Sequence, residues 1–106
     1  PFTLAADALI AQNDSALTLV NTPVTINALS NDVAPIGSSL SITAVGIPTH
    51  GIVSIGNSNL VYTPTLNFLG TDVFTYTVSA NAKQADATVT VRVAEISKLF
   101  VPLIRR

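Results

Sequence analysis

Residues 62–79 of the chain read YTPTLNFLGTDVFTYTVS, and the second half of this stretch decides the fold class. Apolar and polar side chains alternate there, so Phe74, Tyr76 and Val78 share one face. A period of two places successive side chains on opposite faces of a β-strand, one toward a core and one toward water. Pro64 ends the short strand LVYTP that comes before it. The stretch therefore predicts a half-buried strand that follows a shorter one.

The same alternation recurs along most of the chain, whereas helix signals are nearly absent. In ADATVTVRVA (85–94) the inward face would consist of Ala85, Ala87, Val89, Val91 and Val93. In LSITAV (40–45) it would consist of Leu40, Ile42 and Ala44. PVTINAL (23–29) and GIVSI (51–55) alternate in the same way, and IGNSNL (55–60) predicts a hairpin turn. Many short strands with a turn about every ten residues favour an antiparallel sandwich.

The composition fits one small domain with little charge. Of 106 residues, 48% are hydrophobic and 10% are charged, against about 25% in typical proteins. Such a surface is either partly covered by another chain or coated with Ser, Thr and Asn. The five basic residues are scattered, which disfavours a nucleic-acid partner, and no apolar run approaches the ~20 residues of a membrane span. Without cysteine there is no disulfide and no thiolate zinc site.

Five stretches within residues 11–94 resemble the bacterial cadherin-like or immunoglobulin-like tandem module of surface adhesins. They are AQNDSA, NTPVTINALSND, LSITAVGIPTHGIVSI, LVYTPTLNFLGTDVFTYTVS and ATVTVRV. The resemblance implies an all-β antiparallel sandwich of about seven strands. It implies that Phe68, Phe74 and Tyr76 anchor the core and that Gly70 lies in the turn before a strand. It also implies an extracellular or cell-surface location, a structural or adhesive role, no cofactor and no enzymatic activity.

The chain departs from this family in its calcium loop. Family members commonly carry N-D-x-D-x-D-G-D, and here the stretch is NDVAPIGSSL (31–40). Asn31 and Asp32 remain, with Asp14 as a further acid that could lie near them. The three later acids are replaced by Ala34, Ile36 and Ser38. Because calcium takes six to eight oxygen ligands, usually several of them carboxylates, we expect this loop to hold no metal.

Residues with catalytic potential are isolated in the sequence. His50 is the one histidine and lies in the turn PTHG, with no serine marked as its nucleophile. Asp72 and Asp86 come at predicted strand starts, where we interpret them as edge or turn residues. The sequence therefore predicts no enzyme. Asn13 begins an N-D-S triplet, and its use for glycosylation stays open.

The two ends of the chain exceed what the sandwich needs. Continuing the phase of the last strand would bury Glu95, which is costly for an unpaired carboxylate, so ISKLFVPLIRR is a separate element. We therefore expect an amino-terminal extension (1–10), a sandwich (11–94) and a carboxyl-terminal tail (95–106). The residues expected to form an assembly interface are Phe2, Leu4, Ala6, Ala8, Ile10, Leu99, Phe100, Val101, Leu103 and Ile104.

Three fates are open to these extensions. One of them could pair with a sheet edge of another copy by β-strand addition, giving a filament. They could instead fold back on their own sandwich, or the tail could be an anchoring signal or the stub of a longer array. The first fate makes the protein a subunit of a bacterial surface filament, whose partners are copies of itself. The alternative is one module of a large adhesin that binds a protein or glycan, of unknown identity, through its loops.

The loss of the calcium acids gives a direct test. Added calcium is expected to leave the melting temperature unchanged, because one or two carboxylates cannot complete a calcium shell. Thermal unfolding with chelator and with millimolar calcium measures this. A rise of several degrees in calcium would contradict the interpretation.

Overall fold

The computed structural model describes residues 8–56 and 58–95. This part of the chain forms seven strands and one short 3₁₀ helix. In chain order they are β1 (Asp14–Leu19), β2 (Val24–Ile26), the 3₁₀ helix (Ala28–Asn31), β3 (Ser41–Val45), β4 (Gly51–Ile55), β5 (Leu60–Pro64), β6 (Gly70–Ala80) and β7 (Lys83–Ala94). No described helix has the length or the apolar character needed to cross a membrane.

The strands form two sheets. One has the order β1-β7-β6-β3 and the other has the order β2-β5-β4. All the described strand pairs are antiparallel except β1 with β7, which is parallel. The apolar faces of both sheets contribute to one core. The prediction of an all-β Ig-like sandwich of seven strands is therefore confirmed.

The core is built by the alternation that the sequence displays. In β6 and β7 every second residue is buried, including Phe74, Tyr76 and Val78. The predicted anchors Phe74 and Tyr76 are confirmed, and Phe68 packs half-buried against the edge of the core. The facing sheet contributes mainly Leu60 and Tyr62 from β5. The β-branched and aromatic side chains of both sheets are thus excluded from water. This burial of apolar surface is the main contribution to the stability of the fold.

Two local expectations are wrong. Ala44 is exposed, because the register of β3 against β6 shifts between Ile42 and Ala44. This bulge inserts one residue, so the half-buried position passes to Val45. Gly70 is the first residue of β6 and not a turn residue, and its φ of +131° suits a glycine.

The parallel pairing of β1 with β7 fixes where the described chain enters and leaves. Asp14 lies opposite Val89 and Leu19 opposite Ala94, so both strands run away from the β6–β7 turn. Residues 8–13, which precede β1, therefore lie toward the end of the sandwich that holds this turn, which we call the entry end. Glu95 leaves at the other end, beside the start of β6, which we call the exit end.

A matched pair of leucines tests the position of the core. Leu60→Ala removes a side chain that is 0% exposed and is expected to lower the free energy of unfolding by about 2–5 kcal/mol. Leu66→Ala removes one that is 75% exposed and should change it by less than about 0.5 kcal/mol. Urea unfolding of both variants measures the difference. Equal losses would show that β5 does not face the core as described.

Candidate functional site

The hydroxyl of Tyr76 is surrounded by four oxygen acceptors. It lies 2.8 Å from Oδ2 of Asp14 and 2.9 Å from Oδ2 of Asp32. The carbonyl oxygens of Gln12 and Ala28 are each 3.1 Å away. The Tyr76 side chain is 1% exposed, so water does not compete freely for these bonds. Since one hydroxyl donates one proton, the four acceptors cannot all be fully satisfied by it.

This acceptor cluster ties three separate segments to β6. Gln12 precedes β1, Ala28 belongs to the 3₁₀ helix and Asp32 follows that helix. The backbone N–H of Gln12 also donates to Asp32 Oδ1 at 2.8 Å, and Asn31 Nδ2 donates to the carbonyl of Asn13 at 3.1 Å. The structure thus brings Asp14 to Asn31 and Asp32, a consecutive pair from which it is distant in the sequence. Their polar groups serve to hold loops against the core.

The electrostatics of the cluster follow from its burial. Burial raises the pKa of Asp14, and the negative charge of Asp32 raises it further, whereas the hydrogen bond from Tyr76 acts in the opposite direction. Burial is also the main reason that the pKa of Tyr76 lies above its ordinary value, and the two carboxylates add to it. The tyrosine hydroxyl therefore remains protonated and acts as the donor.

The rest of the former calcium loop is used structurally. Ser38 Oγ donates to the carbonyl of Pro35 at 2.7 Å, within the turn that Gly37 closes at a φ of +85°. Ile36 is exposed and Ala34 is half-buried. Within residues 8–56 and 58–95, no three His, Cys, Asp or Glu side chains are grouped so that they could hold a metal ion. The absence of bound calcium stays a prediction.

A second buried pair, Tyr62 with Asp72, was missed by the sequence reasoning. Asp72 is 2% exposed, so its interpretation as an edge or turn residue is wrong. Its Oδ2 accepts from the Tyr62 hydroxyl at 2.7 Å and from the N–H of His50 at 2.9 Å. Its Oδ1 accepts from the N–H groups of Thr49 and Val73 at 3.2 and 3.0 Å. The signal was present, because Asp72 is in phase with the buried residues of β6.

His50 and Asn13 have structural roles in the fold. The ring of His50 stacks on Phe68, with 4.4 Å between ring centroids and 9° between planes. Its carbonyl accepts from the Tyr62 hydroxyl and from the N–H of Thr65. Asn13 Oδ1 accepts from the N–H of Thr88 at 2.9 Å, so the N-D-S triplet lies beside β7 at the start of the edge strand β1. Neither side chain is placed for acid–base chemistry by these contacts.

Most of the predicted assembly residues lie outside the described part of the chain. These are Phe2, Leu4, Ala6, Leu99, Phe100, Val101, Leu103 and Ile104. Ala8 and Ile10 are described and half-buried. Ile10 forms a two-way backbone bridge with Val33, at 2.9 and 2.8 Å, and Leu9 packs against the core. The base of the amino-terminal extension is therefore attached to its own sandwich, and the domain boundaries stay a prediction.

Exposed isoleucines near β4 form an apolar surface that the sequence reasoning did not identify. Ile47 is 93% exposed and Ile52 is 70% exposed, and Ile55 is also exposed. With Val45 and Val53 they flank the side of the sandwich on which β3 and β4 meet. The sequence did contain a signal for this surface, because no Asp, Glu, Lys or Arg lies between Asp32 and Asp72. The period-two alternation alone does not show which apolar residues are exposed.

The family model for the bacterial Ig domain matches residues 6–93. A search of the curated proteins gave no match. Among solved structures, the chain is similar to an endo-fucoidan hydrolase from glycoside hydrolase family 107, with a TM-score of 0.56 and 13% identity over 89% of this chain. It is also similar to the 2,6-sialyltransferase of Photobacterium sp. JT-ISH-224, with a TM-score of 0.49 and 17% identity over 81% of this chain. The chain spans 14% and 18% of those two proteins, and at 13% identity the likeness to the hydrolase concerns the fold alone.

The raised pKa of Asp14 predicts how stability depends on pH. In the folded chain Asp14 keeps its proton at a pH at which the unfolded chain has lost it, so its ionisation opposes folding. Its contribution to stability is therefore expected to rise as the pH falls from neutral through the raised pKa. Asp14→Asn keeps an acceptor and adds a donor, and should be more stable than the natural chain at pH 7. The advantage should shrink as the pH falls.

Urea unfolding of both proteins between about pH 7 and pH 4 measures this difference. Asp86→Asn, which changes an exposed acid of β7, is the matched control and should show no such trend. An advantage of Asp14→Asn that grows toward acidic pH would contradict the account of the cluster.

Proposed function

The chain belongs to the bacterial Ig domain family, and from this premise we propose that it is a non-enzymatic, extracellular structural protein. It forms a bacterial surface filament in which copies are joined by β-strand addition. Bacterial Ig domains are structural or surface modules, often part of cell-surface proteins, which supports the broad assignment. The donor strand is the amino-terminal segment, and its pairing portion is residues 1–7.

The observation that carries this proposal is the placement of the entry and exit ends. Because the described chain enters at one end of the sandwich and leaves at the other, copies can stack with the entry end of one against the exit end of the next. A head-to-tail contact that does not close on itself generates an open filament. The amino-terminal segment of each copy then starts at the junction with its neighbour.

The chemistry of the amino-terminal segment suits a donor. Phe2, Leu4 and Ala6 alternate with Thr3 and Ala5, as a strand with one buried face requires. The bridge between Ile10 and Val33 anchors the base of the segment, while residues 1–7 can span at most about 23–25 Å when extended. That length exceeds a strand of five residues, which rises about 17 Å.

The acidic side chains of the described chain support a non-enzymatic role. Asp72 accepts three backbone hydrogen bonds and one from Tyr62, and Asp14 and Asp32 share the Tyr76 hydroxyl. Carboxylates that are committed to loops in this way are not presented to a substrate. The carboxylates that could serve as acids or bases in an active site are therefore used to stabilise the fold.

The second candidate function is one module of a large adhesin. Separate entry and exit ends also suit a tandem array, and this fold occurs as 14% of the chain of a larger enzyme. In that case the loops would bind a protein or glycan, and the full protein would contain neighbouring modules of the same kind. The adhesin hypothesis predicts no polymer from the isolated chain.

Electron microscopy of the purified chain is expected to show long polymers. Removing residues 1–7, which leaves the Ile10–Val33 bridge in place, should abolish them. Leu4→Asp should do the same, because it puts a charge on the buried face of the donor, whereas Thr3→Ser, which keeps a hydroxyl on the opposite face, should not. A monomer at high concentration with a protease-resistant amino end would overturn the proposal in favour of fold-back.

A further inference from the structure

We infer that the acceptor for the donor strand is the outer edge of β4, and that its occupant is the amino-terminal segment of a second copy. This inference rests on the proposed assembly by strand addition and names the site at which it occurs. It is carried by the edges of the two sheets, by the distribution of charge and by the direction of β4.

Three of the four described sheet edges carry features that discourage pairing. β2 has three residues and follows Pro23, so it offers few backbone groups. β3 contains the bulge between Ile42 and Ala44, which twists an edge away from a partner. β1 begins with Asp14, which puts a charged side chain on that edge.

β4 carries none of these features. Its five residues, GIVSI, pair with β5 in unbroken register from Gly51 to Ile55, without proline and without charge. The chain has no Asp, Glu, Lys or Arg between Asp32 and Asp72, so no charged side chain of β3 or β5 guards this edge either. An uncharged, regular edge is a template for a further strand.

A cleft beside β4 can receive apolar side chains of the donor. It has a volume of about 150 Å³ and is lined by residues 45–48 and 51–53, between β3 and β4. Ile52 and Ile47 at its rim are largely exposed. A donor strand with alternating apolar side chains places every second one toward such a cleft while its backbone pairs with the edge.

The amino-terminal segment matches this edge better than the carboxyl-terminal tail does. Residues 1–7 contain one charged residue, Asp7, and after Pro1 every residue has a backbone N–H. The tail contains Pro102 in its apolar run and carries Lys98, Arg105 and Arg106. A proline within the run removes a donor from the ladder, so the tail would pair less completely.

The direction of β4 favours a segment from a second copy. The N–H of His50 donates to Asp72, which lies opposite Val91, so β4 begins near the exit end and runs toward the entry end. In the end-to-end arrangement the entry end of the neighbour meets this exit end. The donor of the neighbour therefore meets β4 at Gly51 and extends along it toward Ile55.

Disulfide trapping tests the site directly, because the chain contains no cysteine of its own. Thr3→Cys chains are mixed with Ser54→Cys chains, since both positions face outward in the proposed pairing. A disulfide-linked dimer of the two variants is expected on oxidation. Thr25→Cys, on the opposite edge of the same sheet, is the matched control and should give no such dimer. Ala5→Cys with Ile52→Cys tests the next outward-facing pair in the same antiparallel register.

A charge variant gives a second readout. Ile52→Lys alters an exposed side chain and should leave the fold intact by circular dichroism, yet polymers should be lost. Leu17→Lys, on the exposed face of β1, should retain them. The β4 inference is overturned if polymers require residues 1–7 but still form in Ile52→Lys, and if Thr3→Cys forms its disulfide with a cysteine on another sheet edge. The filament proposal would survive that result.

A different outcome would overturn both proposals. A chain with both Thr3→Cys and Ser54→Cys that forms only an internal disulfide, with no polymer in the natural chain, would overturn the filament and the second-copy occupant together. Polymers that form with Thr3–Ser54 disulfides between chains support both.

Discussion

The fold depends on giving partners to two tyrosine hydroxyls that are buried in its core. Tyr62 and Tyr76 fill the space between the sheets, and each hydroxyl must find an acceptor, because a buried unpaired polar group costs about 1–3 kcal/mol. Asp72 accepts from Tyr62, and Asp14 and Asp32 accept from Tyr76. Asp72 and Asp32 also accept hydrogen bonds from backbone N–H groups of loops, those of Thr49 and His50 and that of Gln12. Asp14 shares the Tyr76 hydroxyl with the backbone carbonyl of Gln12. The need to satisfy two hydroxyls thus determines how the loops at both ends of the sandwich are held.

Placing acids inside leaves few charges for the outside of the sandwich. Of the six acids, Asp7 and Asp14 precede Asp32, and no Asp, Glu, Lys or Arg lies between Asp32 and Asp72. The sheet that contains β4 therefore has an uncharged surface with several exposed isoleucines. The same scarcity of charge that suits a small apolar core exposes an edge that can accept another strand.

Much of the fold could be predicted from local pattern, and much of the site could not. The strands of residues 72–79 and 85–94 follow from period-two alternation, since burial of one face requires it. The bulge at Ala44 could not be predicted, because it appears only when β3 pairs with β6. Asp72 was misinterpreted because a carboxylate is expected outside, although its phase indicated the core. The sequence left open whether Asp14 lies near Asp32, and it gave no sign of the tyrosine hydroxyl between them.

The sequence by itself determined the class of fold, the family and the absence of charge along the middle of the chain. These are properties of residue order, because alternation and composition act locally. Tertiary structure was needed to show which strands are edges, that the described chain enters and leaves at opposite ends, and that β4 is an edge strand in unbroken register with β5. These depend on pairing between segments that are distant in the chain. The hydrogen-bonded partners of Tyr62 and Tyr76 were decided in the same way, because three-dimensional packing alone brings a core hydroxyl to a loop carboxylate.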